Sequence, residues 1–143
     1  MKMPNCNKKK WRIYFVKEVS STMDEIKKNI YKDNKNILLM SYKQSKGRGT
    51  KNNKWISQLG NLFISIKLNK IETSKAFLIN YITGIVILDT LQYFLKGKSK
   101  AILKWPNDIL INNKKIAGIL IECISKGNKI IEFYIGIGVN LKK

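Results

Sequence analysis

The sequence has no histidine, which excludes Ser-His and Cys-His nucleophilic pairs and would leave a zinc site to carboxylates and two distant thiols. Cysteine is almost as scarce. Cys6 and Cys123 lie far apart and Met1 to Lys10 is polar and basic, unlike a secretory leader, so reduced thiols in a cytoplasmic protein are expected. Arginine is rarer than the charge suggests. Of 28 basic residues set against 9 acidic ones, a formal charge of +19, only Arg12 and Arg48 are arginine. Nucleic-acid readers concentrate their cations and use arginine prominently, whereas these lysines are spread along a chain rich in Asn and Ile. Most are therefore read as solvated surface, with nonspecific attraction to polyanions at low salt and no specific nucleic-acid site. Long apolar runs are missing too. Ile82 to Leu88 lies in a segment interrupted by Asn80, Thr83, Gly84, Asp89 and Gln92, too short and too polar to span a bilayer, so a soluble protein with no membrane partner is expected.

What remains is 143 residues with 44% apolar composition, enough for one domain with a core that needs no disulfides. Chemistry must run on Lys, Arg, Asp, Asn and backbone groups. Residues 1–10 lack periodicity and read as a flexible basic tail. Trp11 to Val19 alternates as a strand, and Ser20-Ser21-Thr22 breaks it. Ser21 with Asp24, or Thr22 with Glu25, matches a capping box, and Met23, Ile26 and Ile30 at helical spacing predict a helix from about Thr22 to Asp33. Asn36 to Lys43 and Leu62 to Leu68 read as strands. Glu72-Thr73-Ser74 opens a long helix ending near Lys96-Gly97, so apolar around its circumference that a wide face must pack on a sheet. Ala101 to Trp105, Ile109 to Ile111, Lys115 to Glu122 and Lys129 to Asn140 follow as strands joined by Pro106-Asn107-Asp108, Asn112-Asn113-Lys114 and Gly127-Asn128 turns. The fold class is α+β, a mixed and largely antiparallel sheet with helices packed on it.

Between two of those strands lies Gln44-Ser45-Lys46-Gly47-Arg48-Gly49-Thr50-Lys51-Asn52-Asn53-Lys54-Trp55. Glycines on both sides of Arg48 would let backbone N–H groups turn toward an anion such as a phosphate or carboxylate. A lysine-rich surface turn explains that loop equally well. Small residues also interrupt the later strands. Ala117 and Gly118 follow Lys115, and Gly136 and Gly138 precede Asn140, which would allow a ligand or another backbone to approach closely. Each of these alone could mark no more than a bulge.

Taken together, QSKGRGTKNNKW, KWPNDILINNKKIAGILIE and IGIGVN resemble, in order and spacing, the catalytic domain of biotin protein ligases, the biotin–acetyl-CoA-carboxylase ligases. The Ser-Ser-Thr break resembles that family's first biotin-contacting segment, so the resemblance runs from about Trp11 to Asn140. It implies a class II synthetase-like catalytic domain over residues 11–143, without the small C-terminal β domain of bacterial members. It also implies a two-step ligase. Biotin and ATP, supplied as its Mg2+ complex, give biotinyl-5′-AMP, and a lysine of the biotin carboxyl carrier protein of acetyl-CoA carboxylase then takes the biotinyl group. The first step joins two anions, so cations and backbone N–H groups suffice and no protein nucleophile is needed. By resemblance, Ser21, Thr22, Met23 and Gln44 line the ureido end of biotin, and Gly47, Arg48, Gly49 and Thr50 close over its carboxylate and the adenylate phosphate. Lys115 bridges carboxylate and α-phosphate, with Gly118 beside it. Trp55, Asn107 and Asn140 hold the nucleotide, and Asp108 assists magnesium or the incoming lysine amine. The protein itself supplies no metal ligand set.

Two features depart from that pattern. Where many members continue Gly-Arg-Gly with a second arginine and later a glycine, this chain has Thr50 and Asn52. Bacterial members also usually continue well past the Gly-Val-Asn segment, which leaves adenine enclosure and oligomeric state open. An active monofunctional ligase, a catalytically impaired remnant and a basic nucleic-acid-binding protein are the competing readings. A lipoate ligase fits the loop and the Lys-Trp-Pro-Asn-Asp segment less well, and the absence of a helix-turn-helix before Trp11 argues against a repressor.

Overall fold

The computed structural model describes residues 11–32, 36–69 and 71–142. The expected basic tail, Cys6 and the expected helix end at Asp33 lie outside them. Seven strands form one sheet: β1 (Trp11–Val16), β2 (Asn36–Ser41), β3 (Leu62–Leu68), β4 (Ala101–Lys104), β5 (Asp108–Ile111), β6 (Lys114–Lys126) and β7 (Lys129–Val139). Their spatial order is β1-β2-β3-β7-β6-β5-β4, and every neighbouring pair is antiparallel except β1 with β2. The expected α+β class and largely antiparallel sheet are as found. Asn112 and Asn113 both adopt positive φ at the β5–β6 turn, the left-handed conformation that asparagine accepts more readily than most residues.

Side-chain alternation along β6 and β7 gives the sheet two different faces. Ala117, Ile119, Phe133, Ile135 and Val139 are buried together with Ile87 of α2 (Ala76–Leu95). The opposite face packs Tyr134 with Met23, Ile26, Tyr31, Ile37 and Leu39. Residues two apart along a strand share a face, so Gly118 and Leu120 on β6 and Gly136 and Gly138 on β7 share that second face. It is the face that carries the 44–57 loop.

The first helix is shorter than its periodicity predicts. α1 covers only Thr22–Glu25, and a separate turn of 3-10 helix spans Asn29–Tyr31. Lys28, between them, is extended, which breaks the hydrogen-bond ladder while keeping both Ile26 and Tyr31 in the core. No capping box forms. The Ser21 side chain makes no cap hydrogen bond, and Thr22 is engaged elsewhere.

The second helix has the expected ends, with Lys96 in the left-handed conformation at its C-terminus. Its expected packing face on the sheet is found on one side of the helix: Thr83, Gly84 and Ile87 are buried at its centre, where Gly84 faces Leu103, and Ala76, Ile79, Leu88, Leu91 and Leu95 pack partly buried beside them. Phe77, Tyr81, Ile82, Ile85, Val86, Tyr93 and Phe94 are exposed. The expectation of a segment too short and too polar for a bilayer is also corrected. By length and composition alone the helical stretch Thr73–Leu95 is long and apolar enough to cross one, and two of its polar residues, Thr83 and Thr90, donate their hydroxyls to the Ile79 and Val86 carbonyls.

Lys67 on β3 is buried at 5% exposure, with Glu132 3.3 Å away, and the Glu132 carboxylate also accepts a 2.6 Å hydrogen bond from the Tyr134 hydroxyl. Burial pushes the Glu132 carboxyl up, but the bond from Tyr134 and the Lys67 charge outweigh it and hold it below its usual 4.5. A depressed carboxyl stabilises the fold above the unfolded range and loses that contribution as pH falls through the folded value. Acidification from neutral pH to about pH 3.5 is therefore expected to lower the urea midpoint of the native chain more than that of Glu132→Gln. Equal shifts in the two proteins would refute the linkage.

Candidate functional site

The 44–57 loop joins β2 to β3 and is tied down along its length. Val19 N–H donates to the Lys43 carbonyl, Ser45 N–H to that of Val19, and Lys46 N–H to that of Ser20 at 2.7 Å. This pins the loop to the segment just before α1. Beneath it runs a chain of polar groups. Ser65 donates its hydroxyl hydrogen to Thr22 Oγ1 at 2.9 Å, Thr22 donates both its N–H (2.7 Å) and its hydroxyl (3.0 Å) to Gln44 Oε1, and Gln44 Nε2 donates to Ser57 Oγ at 2.9 Å. Gln44 is thereby fixed in orientation. Ser21 Oγ, buried beside this chain, has no hydrogen-bond partner among the described residues, which leaves room for a ligand or water to supply one.

The glycines of the loop act through their size. Neither Gly47 nor Gly49 has positive φ, and the Gly49 N–H is committed to the Asn53 carbonyl at 2.7 Å, so the expected anion-binding turn of backbone N–H groups is not formed there. A Cβ at Gly47 would lie 2.5 Å from Ser57 Oγ and from the Trp55 carbonyl, so glycine permits the loop to fold on itself. Lys51 is the residue that takes up the left-handed conformation.

Trp55 lies flat on the sheet. Gly118 and Gly138 are cross-strand partners, and Cβ atoms on them would stand 2.8 Å and 2.5 Å from the indole. Any larger residue at either position would displace the ring. Met23 occupies the equivalent place over Gly136, at 2.8 Å. The Trp55 indole N–H is buried and has no hydrogen-bond partner among the described residues. Lys115 Nζ sits 5.3 Å from the Trp55 ring, within cation–π range, and 2.7 Å from Asp108 Oδ1.

These groups line a cavity of about 40 Å3. Ser21, Thr22, Met23, Gln44, Arg48, Gly49, Thr50, Trp55, Asn107, Lys115 and Gly118 all line it, so most of the residues expected from sequence converge. Asn107 is held at its wall by Nδ2 donating to the Ile119 carbonyl at 3.3 Å. Gly47 lies behind the loop, and Asp108 reaches the site through its pairing with Lys115. Asn140 lines an adjoining cleft of about 860 Å3 that shares Trp55 and Lys115 with the cavity.

Gly136 and Gly138, read from sequence as points of close approach but given no binding role, also line the cavity. Sequence reasoning missed Asp24 and Glu122. Arg48 Nη2 lies 2.6 Å from Asp24 Oδ1 and its Nη1 2.8 Å from Glu122 Oε1, and Lys27 bonds the other Glu122 oxygen. The hydrogen bond to Glu122 raises the Arg48 pKa further, against a smaller opposing effect of burial and with help from Asp24. Burial would raise the Glu122 carboxyl, but Arg48 and Lys27 hold it below its ordinary value. Among the described residues no three His, Cys, Asp or Glu side chains gather as a metal site.

An antiparallel sheet roofed by a glycine-containing loop, with a polar pocket at one end and a lysine at the other, defines a ligand-binding α+β domain. The chain belongs to the biotin/lipoate A/B protein ligase family, whose model matches residues 15–140. It is 36% identical over 101 residues to the bifunctional ligase/repressor BirA of Escherichia coli, covering 68% of this chain and 30% of that protein. It is 30% identical over 104 residues to the biotin–[acetyl-CoA-carboxylase] ligase of Paracoccus denitrificans, covering 72% and 43%. The structure of the Aquifex aeolicus biotin protein ligase in complex with biotin and ATP matches with a TM-score of 0.68 at 30% identity, over 92% of this chain and 53% of that one. The chain therefore spans less than half the length of these two relatives and about half of that structure.

Proposed function

We propose that this chain is an ATP-dependent biotin ligase that forms biotinyl-5′-AMP and passes the biotinyl group to a lysine of a biotin carboxyl carrier protein. The observation that carries this reading is the arrangement of the cavity. The unpartnered Ser21 hydroxyl and the Thr22–Gln44 pair lie at one end, Lys115 lies at the other, and the Trp55 indole walls the space between. A bicyclic urea suits the polar end, where Ser21 can donate or accept, and a carboxylate suits the cationic end. The names of the relatives point to the same substrates, biotin and ATP in one case and acetyl-CoA carboxylase in another.

In the first step a biotin carboxylate oxygen attacks the α-phosphorus of ATP, and the bond to the bridging oxygen of pyrophosphate breaks with its electron pair leaving on pyrophosphate. Lys115 lines both cavity and cleft, which supports a role in holding both anions and stabilising the charge that builds on the phosphoryl oxygens. Trp55 and Asn140 face the cleft where a nucleotide would extend. In the second step the acceptor amine attacks the biotinyl carbonyl and AMP leaves, with Asp108 the nearby carboxylate able to take the amine proton. The test is to incubate the purified chain with labelled biotin, ATP and a carrier domain. Biotin-dependent pyrophosphate release and label on the carrier are expected; no pyrophosphate, together with tight salt-sensitive DNA binding, would favour a basic nucleic-acid-binding protein instead.

Thr50 lines the cavity where many relatives of this type carry arginine, and it brings no cation to the adenylate phosphate. Thr50→Arg is expected to slow escape of biotinyl-5′-AMP from the protein by roughly tenfold through one added charge-assisted hydrogen bond. Rapid filtration after a single turnover measures it, and equal escape from both proteins would refute the role.

A further inference from the structure

We propose that Asp24 and Glu122 are positioning residues for this ligase. Together they clip Arg48, and with it the 44–57 loop, over the cavity, and they leave Lys115 as the cation that meets the reacting anions. The inference rests on the ligase reading for its substrate, but its geometry is independent of it. Arg48 reaches out of the loop to two carboxylates on separate elements, Asp24 on α1 at 2.6 Å and Glu122 on β6 at 2.8 Å. Arg48 Nε and Nη2 both face Asp24, so the guanidinium is held by its fork as well as its charge. Lys27 completes the cluster by bonding the second Glu122 oxygen, which balances two carboxylates with two cations.

Acids are scarce in this chain, 9 among 143 residues, so two of them converging on one of its two arginines is informative. A guanidinium with both edges engaged has few donors left for a phosphate, whereas it can anchor the middle of a loop whose start is held by backbone hydrogen bonds and Gln44 and whose end is held by the packing of Trp55. The opposite role would be a latch, in which the carboxylates compete with the anionic ligand for Arg48. The two roles give effects of opposite sign. If the carboxylates compete, neutralising them frees Arg48 and tightens binding; if they position, the loop loosens and binding weakens.

The experiment uses Glu122→Gln and Asp24→Asn in the full chain, with biotin-dependent pyrophosphate exchange and limited trypsin digestion as readouts. Asp24 is exposed, so its variant tests the idea even if Glu122→Gln folds poorly. For each variant the KM for biotin is expected to rise roughly fivefold while kcat of adenylate formation stays within about twofold. Tryptic cleavage of the ligand-free chain at Lys46, Lys51 and Lys54 is expected to be roughly fivefold faster, with cleavage elsewhere unaffected. A KM that falls, or loop cleavage that does not change, overturns the proposal. The digestion needs no ligand, so a native chain without biotin-dependent pyrophosphate exchange would overturn the ligase reading while the clip remained under test.

Discussion

Lys115→Ala is expected to lower the rate of biotin-dependent pyrophosphate release by roughly two to three orders of magnitude, about 3 to 4 kcal/mol of transition-state stabilisation. The size follows from where the ammonium sits. It is the cavity cation paired with a single carboxylate, Asp108, whereas Arg48 is already spent on two. Two anions must approach each other in the reaction, so a point charge at the shared wall of cavity and cleft acts mainly as charge develops. The loss should fall mainly on kcat. Folding should hardly change, because the Lys115 side chain is 42% exposed and its ion pair is of the weak, solvent-screened kind. Pre-steady-state pyrophosphate release alongside thermal unfolding measures both, and a variant retaining more than about a tenth of the native rate would remove Lys115 from the chemistry.

Gly138→Val should have the second largest effect, through packing. The first added carbon would lie 2.5 Å from the Trp55 indole, and the ring rests equally on Gly118 across the strand pair. Valine suits a strand better than glycine does, so intrinsic propensity predicts a gain in stability. Overpacking predicts a loss of about 1–3 kcal/mol, or ejection of the ring from the sheet. Ejection would remove one wall of the cavity and abolish biotin-dependent turnover. Tryptophan fluorescence should shift toward that of an exposed indole, and Trp55→Ala in the Gly138→Val background should restore stability but not activity. A Gly138→Val protein with native emission and native turnover would show that the floor need not be flat.

The comparison of sequence with structure turns on which interactions are local. Strands β3, β6 and β7 were readable because alternation is a local property, and the Asn112–Asn113 turn because its residue types demand it. The convergence of Ser21, Gln44, Arg48, Asn107 and Lys115 was legible only through resemblance, since nothing local brings five segments to one cavity. Three readings failed where tertiary partners won. The α1 periodicity gave way to an extended Lys28, the Ser21 capping signal to a hydroxyl left facing the cavity, and the Gly47–Gly49 turn to close packing against Ser57 and Trp55. Asp24 and Glu122 look like ordinary surface acids in a linear reading. Only the fold shows both reaching the same guanidinium.

The uncovered side of α2 has a consequence for how copies of this polypeptide meet one another. From Phe77 to Phe94 it shows solvent a band of aromatic and branched side chains with Asp89 as the helix's single charge, an adhesive strip on a body carrying +19. Mutual repulsion between like-charged copies is what keeps such strips apart, and that repulsion has the reach of the ionic atmosphere, about 10 Å at 0.1 M salt. Self-association through α2 is therefore expected to depend on ionic strength: lysines outside the cavity act collectively as a repulsive coat, thinned by any added electrolyte.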